Sequence, residues 1–176
     1  MELNQLIMMG VFGLSWITAL WIGGAAFRRY VPVALFSTLV VSIVFETAYT
    51  LRWWELESSM VPWNRVNNLW FVFGPFFVFT LWIFKLTFRR FGLFLLVNVG
   101  FDAFQMFVFS PWLEARKLYT LVNIERWQVF LLMLAIAILL YLYQLWFEHT
   151  FSLQSGPRGD SVKIDLPTWR GRRKAR

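Results

Sequence analysis

The sequence predicts an all-α fold, a polytopic membrane helix bundle with five transmembrane helices, N-out and C-in. Three observations carry that reading. Of 176 residues, 59% are hydrophobic and only 15% are charged, whereas soluble domains are about 45–50% apolar and about 25% charged. The apolar residues gather into five runs of about 20 residues, the length that crosses a hydrocarbon core of about 30 Å at 1.5 Å per residue. The basic residues gather between the runs and at the C-terminus. A soluble enzyme, a disordered chain and a fibrous protein are excluded. One bundle remains, without a second globular domain.

The runs cover residues 6–26, 31–51, 69–88, 91–112 and 127–147. In lipid every backbone N–H and C=O needs a partner within its own segment, so each run is expected to be a helix, despite many β-branched and aromatic residues. The first run resembles a signal peptide in length, but Glu2 precedes it and Arg28 and Arg29 follow it. That charge order fits a retained helix with its N-terminus outside. With this orientation, twelve of the seventeen basic residues lie inside and five outside, as the positive-inside rule requires. Seven of the twelve belong to the tail. Residues 1–151 are therefore expected to form the transmembrane domain and residues 152–176 a flexible basic cytoplasmic tail. Arg170, Arg172, Arg173, Lys174 and Arg176 in that tail are expected to face anionic lipid headgroups, at about 1 kcal/mol per basic residue near the surface. No nucleic-acid fold accompanies the charge.

The two longer loops, 52–68 and 113–126, are expected outside. They carry Trp53, Trp54, Trp63 and Tyr119, rings that belong where hydrocarbon meets water. An aromatic lid over a ligand is the alternative reading of these rings.

Polar groups inside a span cost free energy and tend to face protein or water. The fourth run carries Asn98, Asp102 and Gln105, spaced to share one helical face. The second carries Thr38, Ser42 and Glu46 in a similar stripe. By helical rise, Glu46 and Gln105 lie at about the same depth, with Asp102 one turn away near the bilayer middle. If spans two and four touch, these six residues form one intramembrane cluster. It would be either hydrogen-bonded packing between helices or a proton or solute path. The third run contains Gly74-Pro75, where a kink is expected. The first carries Ser15, Ala19 and Gly23, extended by Ala26, a small-residue face for close packing against another span or a partner. Gln144, Glu148 and His149 end the fifth run as solvated inner-surface groups.

With no cysteine and one histidine, thiolate chemistry and a His-rich metal site are absent. No nucleophile, phosphate-binding or metalloprotease motif occurs. No catalytic residue, metal or other cofactor is expected. The expected role is a non-catalytic interaction or accessory subunit with a membrane-protein partner or a second copy of itself. The alternative is a small proton or solute transporter using Asp102 and Glu46.

The run Phe27-Arg28-Arg29-Tyr30-Val31-Pro32, then Leu51-Arg52-Trp53-Trp54, then Asn67-Asn68-Leu69-Trp70 before a proline-kinked span, resembles a group of small multi-pass membrane proteins of spore-forming Firmicutes. The resemblance covers about residues 27–150. It implies the cytoplasmic membrane of a bacterium and assigns no catalytic or binding residue.

Overall fold

The structure is a computed structural model that describes residues 3–56, 69–116 and 118–154. Helix α1 (Leu3–Ala19) ends in a 3-10 turn, Leu20–Ile22. Helix α2 (Gly24–Thr50) follows after one residue. The third segment is built from α3 (Leu69–Phe71), a π-helical turn (Val72–Phe76) and α4 (Phe77–Thr87). The fourth is α5 (Phe91–Phe104), a second π-helical turn (Gln105–Phe109) and α6 (Ser110–Ala115). Helix α7 (Arg126–Gln154) is the longest. Four stretches are long and apolar enough to cross a membrane: Gln5–Ile22, Gly24–Thr50, Phe91–Ala115 and Arg126–Thr150. The third, Val72–Thr87, is shorter.

The first boundary differs from the expected one. The doublet Arg28-Arg29 suggests a loop between residues 26 and 31, but the chain turns at Gly23 and both arginines lie in α2. Gly23 has φ +81° and ψ 139°, a conformation open to glycine because it lacks a Cβ. Gly23 therefore leaves the small-residue face of α1, and Ala26 belongs to the next helix. The guanidinium of Arg29 is used at the helix surface. Its Nε and Nη2 donate to the two carboxylate oxygens of Glu148 at 2.5 and 2.7 Å.

Helix α7 also exceeds its expected limits, continuing to Gln154, so that residues 152–154, which the sequence places in the tail, are helical. The remaining tail, with Arg170, Arg172, Arg173, Lys174 and Arg176, lies outside the described residues.

The all-α expectation has one exception. Strand β1 (Trp54–Leu56) pairs antiparallel with β2 (Tyr119–Leu121), with Trp54 opposite Leu121, Glu55 opposite Thr120 and Leu56 opposite Tyr119. Val122 N–H extends the ladder to the Trp53 carbonyl at 2.9 Å. The ribbon thus ties the loop after α2 to the loop after α6.

Packing makes the last four segments a ring. Helix α2 packs against α4 and α7, and α5 packs against the same two helices. Spans two and four are therefore diagonal partners and not neighbours. Helix α1 lies outside the ring and packs along the third segment. At the ribbon end, Met8 meets Trp70 and Leu118. At the opposite end the ring is filled by a core that includes Tyr30, Leu81, Phe84, Phe88, Phe94 and Tyr141. Phe84 and Phe94 stand 5.2 Å apart, Phe94 and Tyr141 4.9 Å, centroid to centroid. The Tyr141 hydroxyl donates to the Phe88 carbonyl at 3.1 Å, so the polar tip of the plug has a partner.

Helix α1 meets the third segment at its kink. Gly74 departs from helical geometry (φ −102°, ψ −105°), and Pro75 follows it. The Phe77 N–H bonds to the carbonyls of Gly74 and Val72. The Phe73 carbonyl instead accepts the Trp16 indole N–H at 3.1 Å. Trp16 also stacks on Phe77 at 5.5 Å. A Cβ on Gly74 would stand 2.7 Å from Phe12 Cδ2. The close approach that the sequence suggested at Gly23 occurs at Gly74, while Gly10, Gly13, Gly23 and Gly24 have open space beside them.

Candidate functional site

The ring encloses a cavity of about 170 Å³. Its walls come from α2, the third and fourth segments, α7 and the ribbon, and α1 contributes nothing to them. Trp54 and Leu121 stand at the ribbon end, while Phe94 and Leu140 lie toward the aromatic plug. The lining is mostly apolar. Its polar members are Thr80 of the third segment and Asn98, Asp102, Gln105 and Ser110 of the fourth.

The π-helical turn explains how Ser110 joins them. In an uninterrupted α-helix the face that carries Asn98, Asp102 and Gln105 continues through residue 109. One extra residue in the turn shifts the register by one. Phe109 is placed against Trp112, stacked at 5.5 Å, and Ser110 faces the cavity, 1% exposed. The stripe then reaches Glu114, whose Oε1 accepts from Ser110 Oγ at 3.4 Å and whose Oε2 accepts from Arg126 Nη2 at 2.6 Å. Regular spacing misses Ser110 and Glu114; the available signal is Pro111, which has no N–H for the Phe107 carbonyl and so disturbs the register here.

The six residues expected in one cluster separate into two groups. Asn98, Asp102 and Gln105 face the cavity together. Glu46, Thr38 and Ser42 do not line it. Glu46 is exposed, Ser42 half-buried, and the buried Thr38 donates its hydroxyl to the Leu35 carbonyl at 2.8 Å. The cause is the diagonal placement of spans two and four: α2 presents Val41, Val44 and Phe45 to the cavity, which turns Glu46 away. Toward the third segment α2 makes a polar contact through Ser37, fully buried and 3.5 Å from Thr80 Oγ1. Neither Ser37 nor Thr80 is on the stripe read from the sequence.

In the small-residue face, Ser15 donates to the Val11 carbonyl of its own helix at 2.7 Å, and Ala19 packs at the edge of the main core. Gln144, expected at a solvated surface, is fully buried, with Nε2 donating to Glu148 at 3.0 Å. His149 is exposed.

The hydrogen-bonding balance of the cavity is one-sided. Asn98 Nδ2 donates to the Phe94 carbonyl at 2.7 Å, and the Thr80 hydroxyl donates to the Phe76 carbonyl at 2.9 Å. Asp102 Oδ2 and Gln105 Oε1 are buried with no hydrogen-bond partner among the described residues. Such groups are costly to bury unpaired, at about 1–3 kcal/mol each and more when charged. Among the described residues no Lys, Arg or His lines the cavity. Among the described residues no group of acidic, histidine or cysteine side chains could hold a metal ion. No family model, curated protein or solved structure matches the chain.

Proposed function

We propose that this chain is a non-catalytic integral membrane protein that acts by binding. Its ring of four segments holds a small guest inside the bilayer, and the protein serves as an interaction or accessory subunit in the cytoplasmic membrane of a bacterium. The observation that carries the reading is the central cavity with its unpartnered acceptors. Ligand sites are typically concave, largely apolar and furnished with a few polar groups. The aromatic plug favours a dead-ended binding site over conduction, and the position of Glu46 outside the cavity removes half of the acidic pair that a relay would use. Helix α1, packed outside the ring, leaves most of its surface for lipid or a partner: the exposed residues include Leu14, Leu20 and Trp21.

The reading includes five spans, N-out and C-in. In support, the ribbon joins the two loops that the charge pattern puts outside, and Arg28, Arg29, Arg89 and Arg90 gather at the other end. The third span is the shortest, and tilt or local thinning of the bilayer accommodates such a segment at modest cost.

The experiment is gentle extraction from the native host into lipid nanodiscs, followed by intact-complex mass measurement with identification of every component. The expected particle contains a stoichiometric second membrane protein and a retained small molecule. A particle of this chain and bulk lipid alone would overturn the accessory reading.

A further inference from the structure

We propose that the cavity is a site for a small lipophilic amine, an ammonium group carried on an apolar body of about one aromatic ring. This rests on the reading of the cavity as a binding site and names the chemistry of its guest.

Three observations select that class. The first is size. An engineered cavity of roughly 150 Å³ takes up benzene, so a space of about 170 Å³ suits one ring with a short chain. The second is polarity. Of the donors facing the cavity, Asn98 Nδ2 and the Thr80 hydroxyl are engaged with backbone carbonyls of their own segments, and the Ser110 hydroxyl with Glu114 Oε1. Two acceptors, Asp102 Oδ2 and Gln105 Oε1, are left over. They lie three residues apart on one helical face, so one head group can reach both. A guest that donates hydrogen bonds would satisfy both oxygens, whereas a carboxylate or ether guest would add acceptors beside them. The third is charge. Asp102 is 6% exposed, and among the described residues no cationic side chain lines the cavity with it. Burial disfavours the charged form of a carboxylate unless a cation pairs with it, and an ammonium would supply both the charge and the donors. The walls suit the same guest. Phe45, Phe76, Phe79, Phe94 and Phe101 line the cavity, with Phe79 stacked on Phe101 at 3.7 Å. Aromatic faces attract cations, most strongly where water is excluded, and their edges pack an apolar ring.

The amide of Gln105 and the carboxylate of Asp102 thus set the head-group position at mid-depth, and the phenylalanines hold the body. Asn98, held to the Phe94 carbonyl, supports the floor below.

The test uses the full chain in nanodiscs and four probes of one shape: 2-phenylethylamine, 2-phenylethanol, ethylbenzene and phenylacetate. Calorimetric titrations are corrected with protein-free nanodiscs, which removes partition into lipid. The expected order is amine, then alcohol, then ethylbenzene, with phenylacetate weakest. The amine should exceed the alcohol by about tenfold or more, as charge-assisted bonds do over neutral ones. In Asp102→Asn the amine should fall to the level of the alcohol, while the alcohol changes little. Equal affinity of amine and alcohol for the unaltered chain overturns the proposal, as does an amine preference that survives Asp102→Asn. If the variant does not fold, the series on the unaltered chain decides alone. Failure of all four probes to bind would instead remove the binding reading of the cavity itself.

Discussion

Gly74 is the residue on which the docking of α1 turns. Its missing side chain lets Phe12 press onto the third segment, and its neighbour Phe73 offers Trp16 a carbonyl freed by the kink. Gly74→Ala should destabilise the protein by about 1–3 kcal/mol, the usual range for overpacking. Thermal unfolding in detergent would measure it. The penalty should largely vanish in a Phe12→Ala background, because the clash is with that ring. An equal penalty in both backgrounds would show that the close approach is not its cause. The sequence marked Gly74-Pro75 as a kink but named Gly23 as the packing glycine. Both lie in apolar surroundings, and only the partner across the interface separates a glycine that turns the chain from one that is pressed upon. Glu46 and Ser37 teach the same lesson on α2. Periodicity identifies which residues share a stripe, but not which of a helix's faces meets protein.

Two elements were illegible for different reasons. The π-helical turn Gln105–Phe109 holds no proline or glycine of its own; Pro111, which denies the Phe107 carbonyl its N–H partner, hints at a break but does not say where the extra residue falls. The turn nonetheless decides whether Phe109 or Ser110 faces the cavity. The ribbon is short, and its partners are separated by the whole of the third and fourth segments, so local pattern cannot pair them. It can be tested cleanly because the chain has no cysteine. The double variant Glu55→Cys with Thr120→Cys places two thiols on directly opposed residues and should form a disulfide under mild oxidation, seen as a shift in mobility that reductant reverses. Glu55→Cys with His149→Cys, at opposite ends of the bundle, should not. A cross-link in the second pair but not the first would refute the ribbon.

At the scale of the whole molecule, the ring fixes which groups share a space. It brings Asn98, Asp102, Gln105, Ser110 and Thr80 to one cavity, and it leaves α1 outside. It also gives the two ends different characters: an aromatic ribbon and the Glu114–Arg126 pair at one, a cluster of arginines with Glu148 at the other. This predicts a labelling pattern for the proposed orientation. A cysteine at Glu55 should react with a membrane-impermeant maleimide on intact cells. A cysteine at His149 should react only after the membrane is opened. The reverse pattern would turn the protein over in the membrane without changing its fold.

What the sequence determined by itself follows from solvation. An unpaired peptide group in hydrocarbon is so costly that long apolar runs must be helical, and composition with spacing therefore places the helices and their approximate lengths. The same physics marked Asn98, Asp102 and Gln105 as residues needing an explanation, since polar groups at that depth are expensive. The tertiary structure alone decided that spans two and four are diagonal, that Glu46 faces away, that the break falls at Gly23 and that a ribbon joins two distant loops. Lipid solvates every apolar face of a helix about equally well, so the hydrophobic pattern carries little information about which face meets which neighbour. That choice rests on shape, on where a glycine admits a ring and on which polar atoms find partners across the chain.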